Sequence, residues 1–168
     1  MRRNIRFITM VALVALAFYP VQASGQVFFM ENPNVGKEAQ EFTLKVLDGT
    51  EVNLSEVRKG KKAVILFWAT WCPHCRGALN GLRQKKQEIE NQDIKIILID
   101  VGESREVVGK FFEKNGIDMD VFLDEATEVS EIYGVVGIPT FYFIGEDGII
   151  RKVRNSLPQD LEMVFYGA

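Results

Sequence analysis

The chain has 168 residues, of which 47% are hydrophobic and 26% are charged, and its formal net charge is −3. This length is sufficient for one domain with a substantial core. The acidic balance excludes the strongly basic surface that is typical of nucleic-acid-binding proteins. No internal repeat or low-complexity segment interrupts the sequence, so a single globular domain is the expected organisation.

The first 23 residues have the pattern of a secretory signal peptide. Arginines precede an apolar stretch at 7–19, and a Val-Gln-Ala cleavage pattern ends at Ala23. Because the apolar stretch is shorter than the roughly 20 residues that span a bilayer, an uncleaved anchor is the less favoured alternative. Cleavage removes three arginines and no acid, which leaves a net charge of about −6. We expect an irregular lead-in at 24–34, a domain at 35–168, and a location in the bacterial periplasm or at an extracytoplasmic face.

The domain is predicted to start with a β-hairpin. Strand-like runs at 42–46 and 52–54 flank a turn that contains Asp48-Gly49, a pair typical of hairpin turns. A polar connection is predicted at 55–62. The unbroken apolar run at 63–68 then predicts a strand that is buried on both faces of a sheet.

Both cysteines lie where this strand meets a predicted helix, in the stretch Phe67-Trp68-Ala69-Thr70-Trp71-Cys72-Pro73-His74-Cys75. Cysteines three residues apart face each other across one helical turn. The first cysteine lies near free backbone N–H groups and the positive end of the helix dipole, which favour a thiolate. Pro73 falls at about the first helical position, where its missing N–H has no cost. The spacing therefore predicts that Cys72 and Cys75 form a redox-active dithiol.

Three other uses of the cysteine pair are less compatible with the sequence. A structural zinc site usually needs four Cys or His ligands, and this chain has three, so we expect no metal. Haem attachment needs a histidine directly after the second cysteine, where Arg76 stands instead. A purely structural disulfide stays open as an alternative, but so short a loop removes little entropy from the unfolded chain.

The rest of the chain alternates strands and helices. The predicted order is a helix to about Asn91, a strand at 94–101, a helix capped by Ser104 and ended by Asn115-Gly116, a strand at 119–123, a short helix capped by Asp124, strands at 141–144 and 149–153, and a helix opened by Pro158. The short turn between the last two strands makes them antiparallel. This order predicts an α/β fold with a mixed central sheet and helices on both faces.

Over about residues 35–165 the chain resembles the thioredoxin superfamily, and within it the exported TlpA/ResA-like thiol–disulfide oxidoreductases. The resemblance is carried by the hairpin around Leu47-Asp48-Gly49, the active-site stretch with Cys75-Arg76, and Tyr133-Gly134-Val135 followed by Gly137-Ile138-Pro139-Thr140. The segment 102–123 matches the extra helix and strand of this branch. The resemblance implies a thioredoxin-like three-layer fold with an N-terminal β-hairpin, and disulfide exchange with proteins as the activity.

The resemblance also implies a role for each site residue. Cys72 would be the attacking thiol and Cys75 the resolving thiol. Pro139 would be cis and lie against the disulfide, while the Ile138 backbone and Trp71 would contact the substrate. No cofactor is implied beyond the redox-active pair. The implied partners are exported protein thiols and disulfides and a membrane or periplasmic electron donor or acceptor, and the protein is expected to be a monomer.

Three positions depart from the family pattern. Leu66 stands where thioredoxin has a buried acid, six residues before the first cysteine. Ala78 and Asn80 stand where the TlpA/ResA branch often carries Glu and Pro. Because neither familiar acid is present, we expect proton transfer to use water or another group.

The Pro73-His74 dipeptide resembles that of DsbA-type oxidants. A cationic or hydrogen-bonding His74 would stabilise the Cys72 thiolate and therefore the reduced dithiol. We expect a redox potential between those of thioredoxin and DsbA. We favour a reductase, for example of the cytochrome c maturation type, over a DsbA-like oxidase or isomerase.

Two further functions are less favoured. Peroxiredoxins have a similar hairpin, but they place a Thr three residues before the reactive cysteine, where this chain has Ala69, and they place a proline ahead of it. Copper chaperones of related fold pair two cysteines with a distant histidine, and the single histidine of this chain, His74, lies inside the motif.

Overall fold

The computed structural model describes residues 32–166. The predicted signal peptide at 1–23 and all but the last residues of the predicted lead-in at 24–34 lie outside the described residues, so these assignments stay predictions. The strands are β1 (Thr43–Val46), β2 (Glu51–Asn53), β3 (Lys62–Trp68), β4 (Ile94–Val101), β5 (Val121–Asp124), β6 (Thr140–Ile144) and β7 (Ile150–Arg154). The helices are α1 (Leu54–Arg58), α2 (Pro73–Asn91), α3 (Arg105–Asn115), α4 (Glu128–Ile132) and α5 (Glu162–Tyr166).

The seven strands of residues 32–166 form one mixed sheet in the order β2-β1-β5-β4-β3-β6-β7. Strand β4 lies between β3 and β5 and is parallel to both. The antiparallel hairpins β1–β2 and β6–β7 form the two edges, and they join the parallel centre through antiparallel pairs of β1 with β5 and β6 with β3. The predicted mixed sheet, the N-terminal hairpin and the antiparallel last pair are therefore confirmed.

Helices cover both faces of the sheet, and each face has its own apolar cluster. On one face, side chains of α2, α3 and α5 pack on Leu66 and Leu98. On the other face, residues from α1 and α4 pack on Ile65 and Ile97. Because side chains alternate between the two faces of a strand, a strand that is apolar throughout, such as β3, can be buried on both sides. The predicted three-layer α/β fold is confirmed.

The structure corrects three element predictions. The segment predicted as a polar connection at 55–62 contains α1, because Asn53 and Glu56 form a reciprocal capping box at its start. Helix α5 begins at Glu162 and not at Pro158, since the Asp160 carboxylate accepts the Met163 N–H and so marks the start of the helix. Strand β5 is shifted to Val121–Asp124, where it pairs with β4.

Within residues 32–166, no helix combines the length and the apolar character that crossing a membrane would require.

Candidate active site

The two cysteines lie where the central strand β3 ends and helix α2 begins. Cys72 is the N-cap residue of α2, Pro73 is its first residue, and Cys75 lies in its first turn. The two sulfur atoms are joined in a disulfide, and the Cys75 backbone N–H donates to Cys72 Sγ at 3.1 Å. An N–H directed at Cys72 Sγ, together with the helix dipole, stabilises negative charge on this sulfur after the disulfide opens.

The two cysteines differ in their access to a partner. Both cysteines belong to the same apolar cluster as Leu79, but Cys72 is 5% exposed whereas Cys75 has no exposed surface. Thiol–disulfide exchange needs an unhindered approach to the sulfur that is attacked. Cys72 is therefore the sulfur that a partner protein can reach.

The predicted substrate-binding residues come together around Cys72. The Ile138–Pro139 peptide bond is cis, as the resemblance implied, and the Ile138 carbonyl oxygen lies 3.8 Å from Cys72 Sγ. Trp71 is 67% exposed, and Val136, two residues before Ile138, is fully exposed. Large apolar side chains exposed together beside a reactive sulfur are typical of a surface that contacts other proteins.

The remaining predicted residues lie next to the disulfide on the helix side. His74 is exposed, and together with Pro139 and Leu157 it lines a shallow groove along Gly77 and Gly81 of α2. Its predicted influence on Cys72 stays a prediction. Trp68, the last residue of β3, is fully buried and packs against Phe111 and Phe112 of α3.

One carboxyl group that sequence reasoning missed lies beneath the site. Asp100 in β4 has no exposed surface and stands opposite Trp68 in the β3–β4 register. Within the described part of the chain, no donor forms a hydrogen bond of good geometry to either Asp100 oxygen. Glu103 nevertheless lies close enough to affect the pKa of Asp100. Burial, followed by the neighbouring Glu103 side chain, raises the pKa of Asp100 to about 8. Asp100 is therefore an acid that can take up or release a proton near neutral pH.

Glu103 connects this acid to the active-site loop. Its carboxylate accepts the Thr70 backbone N–H at 2.5 Å and the Thr70 hydroxyl at 2.7 Å. Thr70 lies two residues before Cys72. The sequence carried a signal for Asp100, because an acid near the end of the apolar run 94–101 is unusual, but the acid positions of the family pattern fall at Leu66 and Ala78.

The fold and the site together define a class of protein. A thioredoxin-like sheet whose central strand leads into a helix capped by one cysteine of a disulfide is the structure of a thiol–disulfide oxidoreductase. The family model of the AhpC/TSA family matches residues 35–153, and the chain belongs to that family.

Curated relatives of this chain belong to a more specific group of thiol–disulfide oxidoreductases, the ResA proteins. The thiol-disulfide oxidoreductase ResA of Geobacillus thermodenitrificans is 29% identical over 171 residues, which cover 97% of this chain and 96% of that protein. ResA of Bacillus subtilis is 31% identical over 123 residues, 73% of this chain and 68% of that protein. The predicted kinship with ResA-like oxidoreductases is thus confirmed.

A solved structure extends this likeness to the DsbE proteins. A secreted Mycobacterium tuberculosis disulfide oxidoreductase homologous to E. coli DsbE superposes with a TM-score of 0.61 at 25% identity. The match covers 72% of this chain and 90% of that one. The protein is a thiol–disulfide oxidoreductase of ResA/DsbE type.

Proposed function

We propose that this oxidoreductase reduces disulfides in exported proteins, with Cys72 as the attacking thiol and Cys75 as the resolving thiol. The observation that carries these two roles is the difference in access, because Cys72 reaches the surface and Cys75 is fully buried. The position of Cys72 as the N-cap residue of α2 supports the same assignment, since it favours the thiolate form of the attacking sulfur.

The proposed reaction has two exchange steps. The Cys72 thiolate attacks one sulfur of a substrate disulfide, a mixed disulfide forms, and the other substrate sulfur leaves as a thiolate that is protonated by water. Cys75 then loses its proton and attacks Cys72 Sγ, which releases the second substrate sulfur and closes the Cys72–Cys75 disulfide. Two electrons pass from the protein dithiol to the substrate disulfide.

The substrate segment would bind across the loop that contains the cis bond. The Ile138 carbonyl beside Cys72 Sγ is an acceptor for a substrate backbone N–H, and the exposed Trp71 ring provides apolar contact.

The exposure of His74 favours a reductase over a DsbA-like oxidant or isomerase. A strong oxidant needs a reduced form in which the thiolate is strongly stabilised. A positive charge on an exposed side chain is shared with water and screened by salt, so its effect on Cys72 is small. We propose a role of the cytochrome c maturation type, in which a membrane or periplasmic donor returns electrons to the disulfide.

The deciding experiment is a measurement of the potential of the Cys72–Cys75 pair. The protein is equilibrated in glutathione redox buffers, and the oxidised fraction is read from tryptophan fluorescence. A potential of about −250 mV or lower is the expected result for a reductase. A value above about −180 mV would contradict it and support the DsbA-like alternative.

Trapping tests the two cysteine roles separately. Cys75→Ser keeps the attacking thiol and should accumulate a mixed disulfide with a peptide disulfide at Cys72. Cys72→Ser is the matched control and should accumulate none, because Cys75 is buried. The reverse pattern would show that the roles are exchanged.

Export is tested by the mass of the protein recovered from its native compartment. We expect a chain that begins at Ser24, after cleavage of the signal peptide at residues 1–23. Recovery of a full-length, membrane-bound chain would support the alternative of an uncleaved anchor.

A further inference from the structure

The buried face beneath the disulfide has an acid, although neither position where the family carries one holds an acid here. Leu66 is fully buried in the cluster that contains Cys75. Asp100 lies on the neighbouring strand β4, two residues after Leu98. Because side chains alternate along a strand, Asp100 shares the sheet face of Leu98, which is the face that α2 and Cys75 cover.

The position of Asp100 along β4 brings it to the active-site end of the sheet. It is in register with Trp68, the last residue of β3. Strand β3 continues directly into the loop that carries Cys72. Asp100 thus lies at the level where the chain leaves the sheet for the active site, and not deeper beneath the helix.

The burial of Asp100 needs an explanation that packing does not provide. In residues 32–166, neither Asp100 oxygen has a hydrogen-bond partner of good geometry, and burying such a carboxyl group is unfavourable relative to an apolar side chain. Buried polar groups without partners in a native protein often have a functional reason. The same face carries the buried Cys75, whose thiol must gain and lose a proton during exchange.

A second observation ties the carboxyl group to the active site. Glu103, which approaches Asp100, holds the active-site loop through two hydrogen bonds from Thr70. Glu103 therefore links the Asp100 carboxyl group to the active-site loop.

We propose that Asp100 exchanges a proton with the Cys75 thiol during disulfide exchange, and that Glu103 positions this carboxyl group relative to the active-site loop. The inference rests on the proposed exchange through Cys72 and Cys75. When the disulfide opens, a thiolate attacks Cys72 Sγ, the Cys72–Cys75 bond breaks, and protonated Asp100 gives its proton to the departing Cys75 sulfur. When the disulfide closes, the Asp100 carboxylate takes the Cys75 proton and the Cys75 thiolate attacks Cys72 Sγ.

The charges around Asp100 suit a group that holds a proton near neutral pH. Glu103 follows β4 and Asp124 ends β5, and the negative charges of both disfavour ionisation of Asp100. Helix α2, which packs on the same sheet face, carries Cys75, and a Cys75 thiolate would act in the same direction. An acid whose pKa lies near the working pH is the most effective proton-transfer group.

The test follows reduction of the oxidised protein by dithiothreitol in a stopped-flow fluorimeter, over about pH 5.5 to 9.5. At each pH, the ionised fraction of dithiothreitol is the same for both proteins. The informative quantity is therefore the rate of the wild type divided by that of Asp100→Asn. We expect this ratio to be about tenfold or more at low pH and to fall towards one above the pKa of Asp100. Asp147→Asn is the control, because Asp147 lies in the turn after β6, which follows the end of β6 that pairs with the start of β3, and the wild-type rate divided by the rate of this variant should not change with pH.

Glu103→Gln provides a second test that keeps Asp100 in place. Loss of the neighbouring negative charge should lower the pKa of Asp100 and move the fall in the rate ratio to lower pH.

A ratio for Asp100→Asn that is independent of pH would overturn the inference, because a merely structural effect slows the reaction equally at every pH. An unchanged profile in Glu103→Gln would overturn the role of Glu103. If the wild-type disulfide does not cycle with any thiol, it is the proposed function that fails.

Discussion

The Asp100 carboxyl group makes the stability of the protein depend on pH. Its pKa is about 8 in the folded protein and about 4 in an unfolded chain, so between these values the native state holds a proton that the unfolded state has lost. The free energy of unfolding therefore decreases as pH rises from about 4 to 8, and this contribution is level above pH 8.

The matching prediction is that Asp100→Asn is relatively more stable than the wild type at alkaline pH. Urea unfolding of both oxidised proteins at pH 5 and pH 9 measures the difference. We expect the wild type to lose about 4 kcal/mol relative to the variant over this range. An equal change in both proteins would show that Asp100 is ionised in the folded state at neutral pH.

Substitution of the two tryptophans is predicted to affect different properties, stability for Trp68 and substrate binding for Trp71. Trp68→Ala should cost about 3–5 kcal/mol of unfolding free energy, because the ring is fully buried against α3. Trp71→Ala should change stability by no more than about 0.5 kcal/mol, since the ring is largely exposed. The substitution should instead lower kcat/KM for a protein disulfide substrate by about fivefold or more, which corresponds to a loss of roughly 1 kcal/mol of binding energy. Urea unfolding and an insulin-reduction assay separate the two effects, and an unaffected kcat/KM in Trp71→Ala would remove this ring from the binding surface.

At the scale of secondary-structure elements, two helix starts show that a residue of a suitable type does not always make a capping hydrogen bond. Asn53 accepts the Glu56 N–H at 2.8 Å and caps α1. Ser104 stands at the corresponding position of α3, as the sequence predicted, but its side chain makes no capping hydrogen bond.

A pair of alanine variants tests this contrast. Asn53→Ala should destabilise the protein by about 1 kcal/mol, because the capping hydrogen bond from the Glu56 N–H is lost at the start of α1. Ser104→Ala should be nearly neutral. Thermal or urea unfolding of the two variants gives the comparison, and equal losses would mean that Ser104 does cap α3 in solution.

At the scale of the whole molecule, the disulfide adds little to a fold that the core already holds. The sheet is buried on both faces, and closing a loop of four residues removes only about 2 kcal/mol of chain entropy from the unfolded state. We therefore expect the reduced protein to stay folded and to unfold cooperatively.

The sign of the stability difference between the oxidised and reduced forms is tied to the direction of the reaction. A reductase has the more stable oxidised form, so oxidation should raise the unfolding free energy by up to about 2 kcal/mol. Urea unfolding with and without reductant measures this change, with Cys72→Ser as a control that does not respond to reductant. A more stable reduced form would instead be the behaviour of a DsbA-like oxidant.

The sequence by itself determined the features that depend on neighbours along the chain. The apolar run at 63–68, the Cys72–Cys75 spacing and the Asp-Gly turn each specify a local structure, and together they predicted the mixed sheet, both hairpins and the redox pair. The short helix α1 could also have been found, because the capping residues Asn53 and Glu56 are three positions apart.

The tertiary structure alone decided which groups meet across the sheet. Strands β3 and β4 are joined by a long helix, so the register that sets Asp100 opposite Trp68 depends on how α2 packs and not on any local pattern. The access of Cys72 and the burial of Cys75 likewise result from packing of one helical turn on the core. A proton-transfer group is defined by its distance in space and by its loss of water, and neither quantity is written in the order of residues along the chain.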